Sequence, residues 1–160
     1  MQEENRSLPE EVVERLKARG WHITFAESCT GGMAAAALVD VASASSVFDG
    51  SFVTYANEAK EDLLGVRHET IADHGVVSEP VAAQMAEGAA ARMKAEVGVG
   101  ITGVAGPTGG TPKKPVGMVC FGFFAGGETH TFTKQFGNIG RNAVRRASVA
   151  FVYEKLMEYL

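Results

Sequence analysis

An α/β domain, a three-layer α/β/α sandwich with helices on both faces of a mixed sheet, is what this sequence predicts, and three observations carry it. Helical and strand patterns alternate through most of the chain. The run "VGVGIT" is apolar enough for a strand buried on both faces. Late in the chain two strand-like runs flank Gly126-Gly127 as an antiparallel hairpin would.

The elements follow in order. "LPEEVVERLKARG" opens a helix: Pro9 stands early, acids fill the first turn and Gly20 ends it, with Leu8, Val12, Val13 and Leu16 on one face. "WHITFAES" reads as a strand, and "GGMAAAALVDV" as a helix of small residues starting near Gly31, able to pack close to a sheet. "VFDGSFVTYAN" turns at Asp49-Gly50 into a strand ending near Tyr55, and "EAKEDLLG" is a short helix closed by Gly65. "SEPVAAQMAEGAAARMKAE" is the clearest helix, with Ser78 as N-cap, Pro80 in the first turn, and Val81, Met85, Ala89 and Met93 recurring every fourth residue. "VGVGITGVAGP" is a strand running into a glycine-rich loop, "PVGMVCFGFFAGG" and "ETHTFTKQF" form the hairpin, and a last helix over about 140–159 turns Val144, Ala147, Phe151 and Leu156 inward. No repeat, linker or low-complexity tail interrupts this, so residues 1–160 are expected to form one domain with its core over about 8–160.

Composition narrows the function classes. The 160 residues are 46% hydrophobic and 21% charged, as in an ordinary globular domain with a sizeable core. A net charge of -4 gives no general attraction to nucleic acid or to anionic membrane, and no apolar run reaches the roughly 20 residues of a membrane span. The start "MQEENRSLPEEVVERL" is acidic and polar where a secretory signal is basic and then apolar, and Cys29 and Cys120 form neither a disulfide framework nor a metal motif. A cytoplasmic protein with no metal and no cofactor is the expectation. Glycine, 19 residues, is clustered at 31–32, 98–110 and 117–127, which suggests loops where backbone approaches a ligand or another strand.

Four stretches could carry chemistry. In "TFAESCTGG" a strand ends at Ser28 and a helix begins near Gly31, which sets a hydroxyl beside unpaired amides able to stabilise an oxyanion or bind phosphate. The same pattern fits a helix cap at Ser28 or Thr30, and the motif alone leaves both readings open. Cys29 is intrinsically the better nucleophile, but adjacent side chains at a strand end point in opposite directions and no histidine partner is evident, which ranks Ser28 ahead. His22, His68, His74 and His130 stand in no catalytic setting, so the base must be sought elsewhere.

A desolvated lysine also activates serine. "VTYANEAK" offers Lys60 one to two turns after Tyr55, yet the acids in "EAKED" suggest a solvated helix face with a raised pKa, and spacing does not decide between the two. "GITGVAGPTGG" is neither a P-loop nor a dinucleotide fingerprint; its hydroxyls and glycines suit phosphate or ribose contact as well as a flexible connection. In "GRNAVRRAS", Arg141 and Arg145 lie four apart on one helix face, where two guanidinium groups make a clamp for a phosphate monoester.

Together "AESCTGG", "YANEAK", "GITGVAGPTGG" with "KPVG", and "GRNAVRRAS" resemble the CinA C-terminal domain family in its stand-alone form, from about residue 8 to the C-terminus. Larger members carry a further N-terminal domain, which is not expected within these 160 residues. The resemblance implies hydrolysis of the carboxamide of nicotinamide mononucleotide, giving nicotinate mononucleotide and ammonia. It implies Ser28 as nucleophile, Lys60 as general base, Tyr55 as an assisting hydroxyl and Arg145 as an essential cation, whose field could help keep Lys60 neutral. Thr30, Gly31, Gly32, Asn57, Thr102, Gly103, Gly106, Pro107, Thr108 and Arg141 would line the nucleotide site, with the amides from Thr30 to Gly32 at the oxyanion. "VASASS" and Asp49-Gly50 depart from the family's "PGSS"-like and Gly-Gly patterns, which touches loop shape rather than acid–base chemistry. The expected partner is the small-molecule substrate, with no nucleic acid and no membrane, and a homodimer is favoured. The rival readings are an amidohydrolase of another nucleotide and a non-catalytic nucleotide- or partner-binding domain.

Overall fold

The computed structural model describes residues 6–160; the acidic start read at residues 1–5 lies outside them. Six helices and five strands follow one another as α1 Leu8–Arg19, β1 Ile23–Glu27, α2 Met33–Val39, β2 Phe52–Val53, α3 Asn57–Leu64, α4 His68–His74, α5 Glu79–Met93, β3 Val97–Gly103, β4 Met118–Ala125, β5 Glu128–Gln135 and α6 Arg141–Tyr159. The sheet order is β2-β1-β3-β4-β5: β1 runs parallel to β2 and β3, and β4 and β5 are antiparallel additions. No helix among the described residues is long and apolar enough to cross a membrane.

Local sequence explains the ends of these elements. Ser7 caps α1 through a reciprocal capping box with Glu10, and Gly20 closes it in the left-handed region at φ +66°. Ser78 accepts from the Val81 amide at the start of α5. Two expectations are corrected. The second strand stops at Val53, two residues short of Tyr55, and α2 starts at Met33 rather than near Gly31. Gly31 and Gly32, at φ +58° and +100°, form a turn in front of the helix.

Alternation along the strands sorts side chains into two layers. Phe25, Val97, Val99, Ile101, Val119, Phe121 and Phe123 pack against α1, α2 and α6 in the larger core, which includes Val12, Leu16, Leu38, Val144 and Leu156. Ala26 meets Val81, Met85 and Leu64 of α5 and α3 on the opposite face. The glycines of "VGVG" and "FGF" lie inside the expected strands, and there they let α5 sit directly on the sheet. A Cβ on Gly98 would stand 2.2 Å from the Ala86 carbonyl oxygen, and one on Gly122 would stand 2.3 Å from that of Ala82. Glu79 then fastens the start of α5 to the edge strand β5, its carboxylate accepting from the Thr131 and Thr133 hydroxyls at 2.6 and 2.7 Å, bonds that hold its pKa below the usual carboxylate value.

Gly122→Ala must therefore move a helix rather than a side chain. We expect it to lower stability by about 1–3 kcal/mol, the usual cost of overpacking. A melt of the variant that superimposes on wild type would contradict this close packing.

Candidate active site

The carboxyl ends of the parallel strands β1 and β3 converge with the segment after β2, the edge where ligands bind in open α/β sheets. Ser28 follows β1 directly and stays in its ladder, its amide donating to the Ile101 carbonyl at 3.1 Å. The residue is 8% exposed. Lys60, 1% exposed, comes from α3 on the α5 side of the sheet, one turn before the buried Leu64. Its Nζ donates to Ser28 Oγ at 3.1 Å, to the Thr54 carbonyl at 2.6 Å and to the Tyr55 carbonyl at 3.2 Å.

Those three partners suit either protonation state of the amine. As an ammonium, Lys60 donates all three bonds. As a neutral amine it keeps both carbonyls and accepts the Ser28 hydroxyl proton along the third direction, so deprotonation only reverses one hydrogen bond. Burial lowers the Lys60 pKa to about 8, opposed only by nearby Cys29. Of the two readings that "EAKED" left open, the buried one holds: the acids flanking Lys60 in sequence point elsewhere and leave it no carboxylate partner. Desolvation, rather than the field of a neighbouring cation such as Arg145, is what lowers the lysine.

Arg145 instead grips the turn that carries Ser28. Its Nε donates to the Cys29 carbonyl at 2.9 Å, one terminal nitrogen donates to the Thr30 carbonyl at 3.2 Å, and the other to Asn142 Oδ1 at 3.0 Å. A Cβ on Gly31 would stand 3.3 Å from this guanidinium, so glycine there admits the arginine as well as the positive φ. Arg141 goes another way, donating to the Gly106 carbonyl at 2.7 Å and to the Tyr55 hydroxyl at 3.1 Å. The two arginines thus diverge and form no joint clamp. Tyr55, 64% exposed, reaches Lys60 through its main-chain carbonyl, while its phenol sits at the mouth with Arg141 and not on the Ser28–Lys60 pair.

The remaining site residues divide by burial. Thr30 is fully buried, and its hydroxyl donates to Glu27. Thr102 is spent on the Val76 carbonyl at 3.0 Å, and Gly103 is pressed against Val119 of β4, so both hold the loop rather than face a ligand. Gly106 is buried beneath Arg141, and Asn57, Pro107 and Thr108 are exposed. Of the amides near Ser28, that of Gly31 is taken by the Ser28 carbonyl, and those of Ala34 and Ala35 by Glu27. The Thr30 and Gly32 amides have no acceptor among the described residues. Burial pushes the Cys29 thiol up to about 11, which leaves it a poor nucleophile beside Ser28. His22 and His68 pair with Asp49 and Glu61, and His130 stacks on Tyr159.

Fold and site together define an α/β domain that presents a buried serine to a buried lysine at the carboxyl edge of its parallel strands. The chain belongs to the CinA C-terminal domain family, whose model matches residues 5–160. It is 49% identical over 152 residues to nicotinamide-nucleotide amidohydrolase PncC of Shigella flexneri and to the protein of that name from Escherichia coli K12, covering 94% of this chain and 92% of each relative. It is 50% identical to a CinA-like protein of Anaeromyxobacter dehalogenans, of which it spans 36%. Among solved structures, the competence/damage-inducible protein CihA of Agrobacterium tumefaciens superimposes with a TM-score of 0.92 at 42% identity, over 95% of this chain and 93% of that one.

Proposed function

We propose that this chain is an amidohydrolase that converts nicotinamide mononucleotide to nicotinate mononucleotide and ammonia, in the salvage of pyridine nucleotides, working as one catalytic domain over residues 1–160. The substrate is carried by the relatives named nicotinamide-nucleotide amidohydrolase, which this chain matches over nearly their whole length. The chemistry is carried by one observation, the buried Lys60 Nζ at 3.1 Å from Ser28 Oγ.

Neutral Lys60 takes the Ser28 proton as Oγ attacks the carboxamide carbon. The oxyanion that forms is met by amides left free in the turn, among them those of Thr30 and Gly32. Collapse breaks the C–N bond, and the Lys60 ammonium returns its proton to the departing nitrogen, releasing ammonia. Water then attacks the acyl-enzyme with Lys60 again as base, and cleavage of the ester restores the Ser28 hydroxyl and frees nicotinate mononucleotide.

Ammonia release from the mononucleotide, the riboside and the dinucleotide tests the substrate assignment; equal rates on all three would refute it. Arg141, exposed at the mouth and linking Tyr55 to the Gly106 loop, is the cation left to meet the 5′-phosphate once Arg145 is committed to the turn. Arg141→Ala is expected to raise KM for the mononucleotide about tenfold or more, the size of a lost charge-assisted contact, with far less effect on the riboside. A uniform loss on both substrates would place the phosphate elsewhere.

A further inference from the structure

Glu27, the acid before Ser28, takes no part in the steps above, yet it is fully buried. Its Oε1 accepts from the Thr30 hydroxyl at 2.5 Å and the Ala34 amide at 2.9 Å, and its Oε2 accepts from the Ala35 amide at 3.1 Å. Three donors converge on it, and no cation pairs with it among the described residues. A carboxyl group met only by donors fits its ionised, acceptor-only form. A buried anion held by hydrogen bonds alone is costly to keep, which asks for a function.

Strand alternation explains what it can and cannot do. Ser28 faces Lys60 and α3, whereas the Glu27 carboxylate turns to the other face and meets α2. It therefore neither shares a proton with Ser28 nor opposes the lowering of the Lys60 pKa, which has burial as its cause. What it does is close the segment from residue 27 to residue 35 on itself. α2 has Gly32 at its N-cap and no side-chain cap of its own, so Glu27 supplies from the strand what the helix start lacks. Its main-chain carbonyl also accepts from the Thr54 amide at 2.9 Å, and the Thr54 carbonyl in turn holds Lys60. One residue thus fixes the turn that carries the nucleophile and the strand end that carries an anchor of the base.

We propose that Glu27 is a positioning residue for the hydrolysis: its carboxylate, clasping Thr30, Ala34 and Ala35, sets the Ser28 turn at attacking distance, with Arg145 gripping the same turn at Cys29 and Thr30. The proposal rests on Ser28 being the nucleophile. Loss of the clasp costs turnover rather than binding, because the groups that meet the nucleotide lie at the mouth.

The test is ammonia release from nicotinamide mononucleotide by the full chain carrying Glu27→Gln, Thr30→Val or Ser28→Ala, with a thermal melt of each. Glu27→Gln replaces an acceptor by a donor where all neighbours donate. It should lower kcat by about 10- to 100-fold, the range set by a lost hydrogen bond to a charged group, with KM within about twofold. Thr30→Val removes one donor and leaves both helix amides on the carboxylate, so it should stay folded and lower kcat by a smaller factor. The pH at which activity half-develops should stay at the wild-type value in both variants, since Lys60 is on the opposite face.

Folded variants with unchanged kcat, a loss appearing in KM alone, or a shifted pH midpoint would each overturn the proposal. If Glu27→Gln does not fold, Thr30→Val decides. Full activity in Ser28→Ala would instead strike the nucleophile assignment, whereas an inactive Ser28→Ala beside fully active Glu27→Gln and Thr30→Val would strike the role of Glu27 alone.

Discussion

Ser28→Ala is expected to reduce ammonia release from nicotinamide mononucleotide by about 10³-fold or more while the chain stays folded, as loss of a covalent nucleophile does elsewhere. The size of the effect follows from how little else in the site can take its place. Cys29 is adjacent in sequence, but its thiol is buried and pushed up to about 11, and no histidine makes a contact that would activate it. Water lacks the position that the Ile101 carbonyl gives Ser28 at the end of β1. The fold should tolerate the change, because Lys60 keeps the Thr54 and Tyr55 carbonyls when the hydroxyl is removed. The same variant should still bind the mononucleotide, so calorimetric titration separates a lost nucleophile from a damaged pocket. Undiminished release would sink the assignment and move the test to Cys29→Ser.

What could be read from sequence was local, and what could not was set by contacts distant along the chain. The ends of α1, α3 and α5 were legible because Gly20, Gly65 and Ser78 act within a turn of the helices they bound. Ser28 was legible as a strand end before a glycine turn. The burial of Lys60 was not, since "EAKED" describes a solvated face to any reading that weighs neighbours in sequence; the contrary signal, Leu64 four residues on and also buried, is a single apolar position. The arginines show the limit of helical phase. Arg141 and Arg145 do share a face, but one guanidinium meets the carbonyls of the Ser28 turn and the other meets Gly106 and Tyr55, and nothing in a four-residue spacing states which. Glycines 98, 100 and 122 fall in runs legible as strands, but what they admit was not: "VGVG" and "FGF" alternate at the strand period, and that alternation is the available sign of a helix resting on them.

Lys60 supplies the second large effect, and it is read in two ways. With a pKa of about 8 the amine is mostly charged at neutral pH, so kcat/KM should rise about tenfold per pH unit below 8 and level off above it. An inflection near the ordinary lysine value, or no acid limb at all, would mean that Lys60 is not the base. Stability carries the complementary signature. The folded chain releases the Lys60 proton near pH 8, and the unfolded chain does so near 10.5, so between these values the unfolded state binds more protons and stability climbs with pH. Below pH 8 both states hold the proton and the penalty of the buried charge stands in full, about 3 kcal/mol from the depressed pKa. Lys60→Met removes that penalty but leaves the Thr54 and Tyr55 carbonyls without a donor, at a cost of about 1–3 kcal/mol. Urea melts at pH 7 should therefore find the inactive variant no less stable than wild type. At pH 10 that comparison should shift in favour of wild type by most of the 3 kcal/mol, because the native lysine is by then neutral. A variant that is inactive yet falls behind wild type equally at both pH values would show that the lysine serves the fold, and that its burial is not the source of the base.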